Sequence, residues 1–197
     1  MRTAKRYVFS TLCTLILLGT ASPCNAFNGM RKGFVLGGGL GIAPSATWKY
    51  HGRTFDGYLR DAKETRAGGA ANFIIGYGWN ERNLLVLELN GASFKSREFR
   101  DDMVFQAYGG PAWYHYLRPA ARGFFTIAGI GVFGFRLHFK GDGDITNDSG
   151  LGLLGGVGYE FSRHWHVSFV INGGQTSQWR FNWTHINLEA LIGGVAF

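Results

Sequence analysis

The seventeen residues from Phe124 to Lys140, FFTIAGIGVFGFRLHFK, constrain the fold more than any other stretch of the chain. The odd positions Phe125, Ile127, Gly129, Gly131, Phe133, Phe135, Leu137 and Phe139 are apolar or glycine, and the even positions end in Arg136, His138 and Lys140. A period of two belongs to a β-strand, whose successive side chains point to opposite faces. Soluble strands rarely run past about 10 residues. A tilted membrane-spanning strand needs about 9–11 residues in hydrocarbon and can project beyond it. The stretch therefore predicts a transmembrane β-barrel strand, with the phenylalanines on one face and the charges on the other.

The start of the chain fits export. Arg2, Lys5 and Arg6 precede an almost uninterrupted apolar run from Tyr7 to Leu18, and Cys24-Asn25-Ala26 places small residues where a signal peptidase cuts. The run falls short of the roughly 20 residues a spanning helix needs. Residues 1–26 are thus expected to be a signal peptide and 27–197 the barrel domain. Cleavage after Ala26 would remove both cysteines, Cys13 and Cys24, and with them disulfides and thiolate zinc sites. It would also remove three of the basic residues, lowering the formal charge from +7 to +4. That balance gives nucleic acid no support as a partner. The mean hydropathy of −0.03 suits a barrel with one apolar and one polar face.

Eight strands can be traced. Gly33 to Pro44 sets Phe34, Leu36, Leu40 and Ile42 against Gly33, Gly37, Gly39 and Gly41, the glycines facing a tight lumen. Later strands place Phe73, Ile75, Tyr77 and Trp79, then Leu85, Leu87 and Leu89, then Leu151, Leu153, Val157, Tyr159 and Phe161, and Trp165, Val167, Phe169 and Ile171 on their outer faces. Gly109-Gly110-Pro111 interrupts the strand from Val104 to Leu117 and predicts a bulge. Connections alternate long and short, as they do in bacterial barrels, whose short turns are periplasmic. The expected fold is all-β: an eight-stranded antiparallel transmembrane β-barrel of up-and-down topology. A two-sheet periplasmic sandwich is the soluble alternative.

The chain resembles the small outer-membrane barrel proteins of Gram-negative bacteria, the OmpA/OmpX-type and opacity-protein-like group. The resemblance runs over 27–197 and rests on GFVLGGGLGIAP, GLLGGVGYEF and the closing LIGGVAF. It implies outer-membrane lipids and lipopolysaccharide as surroundings and the barrel-assembly machinery as a partner. In that light Phe197, with Val195 and Leu191 on its face, looks like the assembly signal. The opposite face, Ile186, Leu188, Ala190, Ile192 and Ala196, is nevertheless the more apolar one, so a bulge in the last strand or a rim position for Glu189 is expected.

Lumen candidates are Glu88, Arg136, His138, Glu160 and His166, joined by Asn72, Asn90 and Asn172. An eight-stranded interior is just wide enough to be filled by side chains, and an unpaired buried charge costs several kcal/mol. These two facts predict carboxylate–arginine pairing, Glu88 with Arg136 among them. As a paired core these residues would plug the barrel; as a breakable pair they would gate a small porin-like channel. A third reading is a lipid A-modifying enzyme, because His166-Val167-Ser168 matches part of the His-x-Ser-Asn motif of lipid A deacylase barrels. Phe169 replaces the asparagine, and period two turns both polar side chains inward. His185 and Glu189 form a further His–carboxylate pair at strand spacing, with no serine beside them. No metal site is expected. The acidic run Asp142, Asp144, Asp148 lacks both the sixth-position glycine and the closing glutamate of a calcium loop. No cofactor is implied.

The longest connection is read as residues 45–67, polar and aromatic, carrying Trp48, Lys49, Tyr50, Arg53, Tyr58 and Arg60. Aromatic rings interleaved with cations can stack and bind phosphates. The primary expectation is therefore a structural or surface-interaction role, with this loop meeting lipopolysaccharide or a host or surface protein.

Overall fold

The computed structural model describes residues 31–53, 59–97, 102–119, 122–139, 143–146, 149–178 and 181–197. Among these described residues nine strands occur in order: β1 (Gly33–Arg53), β2 (Leu59–Asn80), β3 (Asn83–Ser96), β4 (Asp102–Tyr116), β5 (Gly123–Phe139), β6 (Gly143–Thr146), β7 (Gly150–Ser162), β8 (Trp165–Gln178) and β9 (Phe181–Ala196). The eight long strands make one antiparallel sheet in the order β4-β3-β2-β1-β9-β8-β7-β5, which β4 closes by pairing with β5. The short β6 pairs only with the far end of β5. Closure leaves the barrel wall no free edge, which is what allows a sheet to sit in hydrocarbon.

Outer faces agree with the period-two reading on most strands. Leu40 (71% exposed), Leu87, Leu89, Leu151 and Phe169 belong to an apolar belt that continues around the outside. On β4, Phe105 and Trp113 join the belt while Tyr108, Tyr114 and Tyr116 are buried inside.

Four expectations are corrected. On β5 the phenylalanine face points into the lumen: Phe125, Phe133 and Phe135 are buried, whereas Phe124, Ile130 and Val132 are exposed. Both faces of this strand are apolar through the membrane, so the charge at position 136 marks where the strand leaves hydrocarbon rather than which face is inside. Arg136 is exposed, on the outer side. In the last strand the alternation runs unbroken, with His185, Asn187, Glu189, Leu191, Val195 and Phe197 all inward and Glu189 deep in the barrel. The more apolar face simply meets lipid.

The predicted bulge at Gly109–Pro111 is absent. β4 pairs with β3 without a shift, and its ladder with β5 skips Gly110 and Pro111 and resumes in the same register. Proline has no N–H to donate there, and a Cβ on Gly110 would stand 2.6 Å from Gly131 Cα. The bulge lies instead in β1, between Ala43 and Ala46, against both neighbours. It inverts the parity of the strand beyond it, so that Ala46 and Trp48 are buried and Lys49 and His51 are exposed. The fourth correction concerns 45–67. It is mainly strand: β1 runs to Arg53 and β2 begins at Leu59, with a ladder from Ala46↔Arg66 to Arg53↔Leu59. At 21 and 22 residues both strands are about twice the spanning length, so their hairpin overhangs the belt.

Glycines admit the inward aromatics. Gly158 faces Phe125 across the β5–β7 ladder, and a Cβ there would fall 2.1 Å from the ring. We expect Gly158→Ala to destabilise the folded barrel by about 1–3 kcal/mol through overpacking, measured by urea unfolding in micelles. An unchanged midpoint would show that the Phe125 ring is free to move.

Candidate functional site

The lumen is filled in three layers. At the short-turn end, Arg31 enters just ahead of β1. Its Nε and Nη2 donate to Glu160 Oε2 at 3.2 and 3.0 Å, and its Nη1 donates to the carbonyls of Glu81 and Arg118 at 3.2 and 3.0 Å. The guanidinium also lies 3.9 Å from the centre of the Tyr116 ring. Gly78 makes room for this segment, since a Cβ there would meet the Arg31 carbonyl oxygen at 1.9 Å. Beside the pair, the His166 ring meets Phe125 edge-on at 5.4 Å, and Phe197 packs 5.1 Å from His164. His164 has a left-handed backbone (φ 72°) in the two-residue turn, held there by two 2.8 Å hydrogen bonds to Val195.

The middle layer is a network of carboxylates and carboxamides. Glu88 accepts from Asn72 and Asn90 at 3.2 Å each and from the Tyr114 hydroxyl at 2.9 Å. Asn172 Nδ2 donates to Asn90 Oδ1 at 2.7 Å and to Glu189 Oε1 at 2.8 Å, and Asn187 donates to Asn172 at 2.9 Å. β3 and β8 stand on opposite sides of the eight-strand ring, so the Asn172–Asn90 bond spans the lumen.

Nearer the long-connection end the filling turns aromatic. His185 stacks on Phe133 and Phe135 at 5.3 and 5.0 Å and bonds Thr176 at 3.0 Å. Trp183 stacks on Phe135 at 5.1 Å and meets Trp48 and Tyr50 at 5.5 and 4.9 Å. These contacts root the overhanging hairpin in the lumen. A polar tie supports it from the side: Glu64 accepts from the Ser96 hydroxyl, from Arg66 Nε and from the Arg97 amide, the last two at 2.8 Å.

Of the expected lumen residues, Glu88, Glu160 and His166 are buried inside, and Arg136 is not with them. The side chain of His138 lies outside the described residues. Glu160 takes Arg31 as its partner, and the partners of Glu88 are neutral, which corrects the Glu88–Arg136 pairing: an outward arginine cannot reach the lumen. Arg31 was missed. Its one signal is a basic residue immediately before the first strand, at the end where Glu160 closes its own. Among the loop candidates with described side chains, Trp48 is 1% exposed and Tyr50 is half-buried, so both act as anchors, and Lys49 is displayed. Tyr58 and the side chains of Arg53 and Arg60 lie outside the described residues. His166 and Ser168 both point inward while Phe169 faces lipid, so the partial motif presents nothing to an acyl chain. Among the described residues no three His, Cys, Asp or Glu side chains gather as a metal site.

The profile of the outer membrane protein beta-barrel domain matches residues 11–196. No curated protein matches the chain. Among solved structures, Neisserial surface protein A is similar at 12% identity and a TM-score of 0.54, covering 84% of this chain and 97% of its own. Ail, the attachment invasion locus protein of Yersinia pestis, aligns at 12% identity over 82% of this chain and 99% of its own, with a TM-score of 0.47. The N-terminal barrel of Pseudomonas aeruginosa OprF gives 10%, 80%, 98% and 0.44 for the same quantities.

Two outcomes test this geometry. Arg31→Ala strands a buried carboxylate and is expected to cost about 3–5 kcal/mol, with Arg31→Leu/Glu160→Leu recovering most of it, read by urea unfolding; an equal loss in the double variant would mean that the carbonyl contacts, not the pair, hold the layer. Burial pushes the Glu64 carboxyl up, but the hydrogen bonds from Ser96, Arg66 and Arg97 outweigh it and hold the group below its ordinary value of 4.5. The tie therefore holds above that value and is lost as the pH falls through the lower, folded-state value. The Arg97 amide resonance should titrate with a midpoint under 4.5, and one at or above 4.5 would contradict the tie.

Proposed function

Because the chain belongs to the outer membrane protein beta-barrel domain family, we propose that it is a plugged outer-membrane scaffold whose work is surface interaction, with the β1–β2 hairpin as the displayed element. The observation that carries this reading is the overhang. Ladder pairing continues from Ala46↔Arg66 to Arg53↔Leu59 beyond the belt, and the inner side chains Trp48 and Tyr50 are spent on holding the hairpin upright. A rigid, preorganised element loses little conformational entropy when it meets a partner. Among its described residues the outward side chains, Thr47, Lys49, His51, Lys63 and Thr65, are polar or basic, which suits an anionic partner surface. By the asymmetry of bacterial barrels the long connections face outward from the cell. Residues 1–26 would serve as the signal peptide, and Leu191, Val195 and Phe197 as the face read during assembly.

The channel reading has less to stand on. An outward Arg136 removes the proposed gate pair, and Arg31 with the lower aromatics occupies one end of the lumen while His185, Trp183 and the phenylalanines occupy the other. The enzyme reading rests on His166 and Ser168, which both point inward.

The test is a shortened hairpin, with residues 47–65 replaced by a tight Asn-Gly turn. The parent is expected to stay silent in a planar bilayer and to make cells that display it adhere to an anionic surface such as immobilised heparin; the variant is expected to refold, to stay silent as well, and to lose that adhesion. Retained adhesion would remove the hairpin from the function; discrete conductance steps from the parent would overturn the plugged scaffold.

A further inference from the structure

The outer wall carries a like-charge contact that the fold does not need. Lys49 and Lys63 are direct cross-strand partners on β1 and β2, and both are exposed on the outer face. Like charges opposite one another in a sheet are destabilising. The same row continues from Lys49 to Thr184 on β9 and from Thr184 to Gln175 on β8, both exposed. Four side chains in one row can thus donate hydrogen bonds, and none is acidic.

This row sits just above the belt. The next row inward holds Thr65, Thr47, Ile186 and Gly173, and Ile186 is exposed to lipid. Beneath the Thr184 and Gln175 end of the row, on β7, β8 and β9, lies an apolar groove of about 680 Å³, within the range of about 300–1,000 Å³ typical of small-ligand sites. Gly155 and Gly173 leave its floor without side chains, Ile171 and Ile186 wall it, and Thr184 and Gln175 close its polar end. Charge to one side on β1 and β2, donors at the junction on β9 and β8 and an apolar trough beneath those donors match one chemistry: a phosphate joined to an acyl chain. Basic side chains at the membrane surface attract anionic headgroups, and lysine binds phosphate as a point charge.

We propose that Lys49, Lys63, Thr184 and Gln175 hold the phosphate of an acylated lipid in the leaflet that the long-connection end faces, with one acyl chain lying in the Gly155/Gly173 groove. The site shares Lys49 and Lys63 with the base of the hairpin's outward face; point variants that keep the hairpin test it, so its failure does not decide whether the hairpin meets a partner. It gives the lysine pair the anion that its geometry calls for, and it ties β1 and β2 to β8 and β9 through a shared ligand.

The test uses refolded full-length barrel in neutral detergent, titrated with dioleoyl phosphatidic acid, dioleoyl phosphatidylcholine or inorganic phosphate, and reads the unfolding temperature. Phosphatidic acid is expected to raise it, with the other two giving little. Lys49→Gln/Lys63→Gln should weaken the apparent affinity about twenty-five-fold, taking each lysine near a charged surface as worth about fivefold. Gly155→Leu fills the trough without disturbing the wall, because a Cβ there meets only Ile171 Cγ2 at 3.7 Å. It should lower the affinity for phosphatidic acid while leaving the lysines intact. An unchanged rise in the lysine variant overturns the site. An equal rise with inorganic phosphate overturns the lipid assignment, and full affinity in Gly155→Leu overturns the groove.

Discussion

The 2.7 Å hydrogen bond from Asn172 to Asn90 crosses the barrel between opposite strands. It depends on a lumen so narrow that side chains from facing walls touch, and that narrowness is fixed by closing only eight strands. Inward polar residues therefore meet chiefly one another. Glu88 is met by two carboxamides and a phenol, and Glu189 by Asn172. Each neutral donor gives up the least desolvation for the hydrogen bond it provides. An arginine in their place would have brought a second charge into the same dry space.

The same narrowness explains where charge is tolerated. Arg31 and Glu160 sit at the short-turn mouth, where the guanidinium is also hydrogen-bonded by the carbonyls of turns that have no ladder partner. One arginine thus satisfies a carboxylate and the exposed ends of two connections, and its guanidinium carbon lies over the face of the Tyr116 ring. The opposite mouth is closed by rings stacked on one another. Rings of this size fit only because glycine stands across from them, Gly158 against Phe125 and Gly174 against Phe133.

Much of the fold was legible in the sequence wherever one face of a strand was apolar and the other was not. Leu85, Leu87 and Leu89 against Glu88 and Asn90 left no choice of orientation. On β5 the two faces are equally apolar across the membrane, so period two gave the strand but not its sense, and the charges at its end misled. β1 hid its bulge because Ala43, Pro44, Ser45 and Ala46 carry no pattern to break. The stretch 45–67 resembled a loop for a physical reason: beyond the belt a strand has no lipid to face, so its outer side chains turn polar and the hydrophobic alternation fades. The lumen was readable as a set of inward residues but not as pairs, since pairing depends on register across the barrel and Arg31 precedes the strands altogether.

Beyond the filled lumen there is an asymmetry between the two ends. The short-turn end spends its polar groups on itself, and its carbonyls, carboxylate and cation are mutually satisfied. The long-connection end rises past the belt on the two longest strands and turns Lys49 and Lys63 outward, side by side, with no acidic residue in their row among the described residues. A barrel needs neither the overhang nor the lysine pair in order to close, pack or span. Those are the features that the constraint of a filled lumen leaves unexplained, and they lie together on one side of the molecule, where anionic lipid below and other surfaces above would meet them.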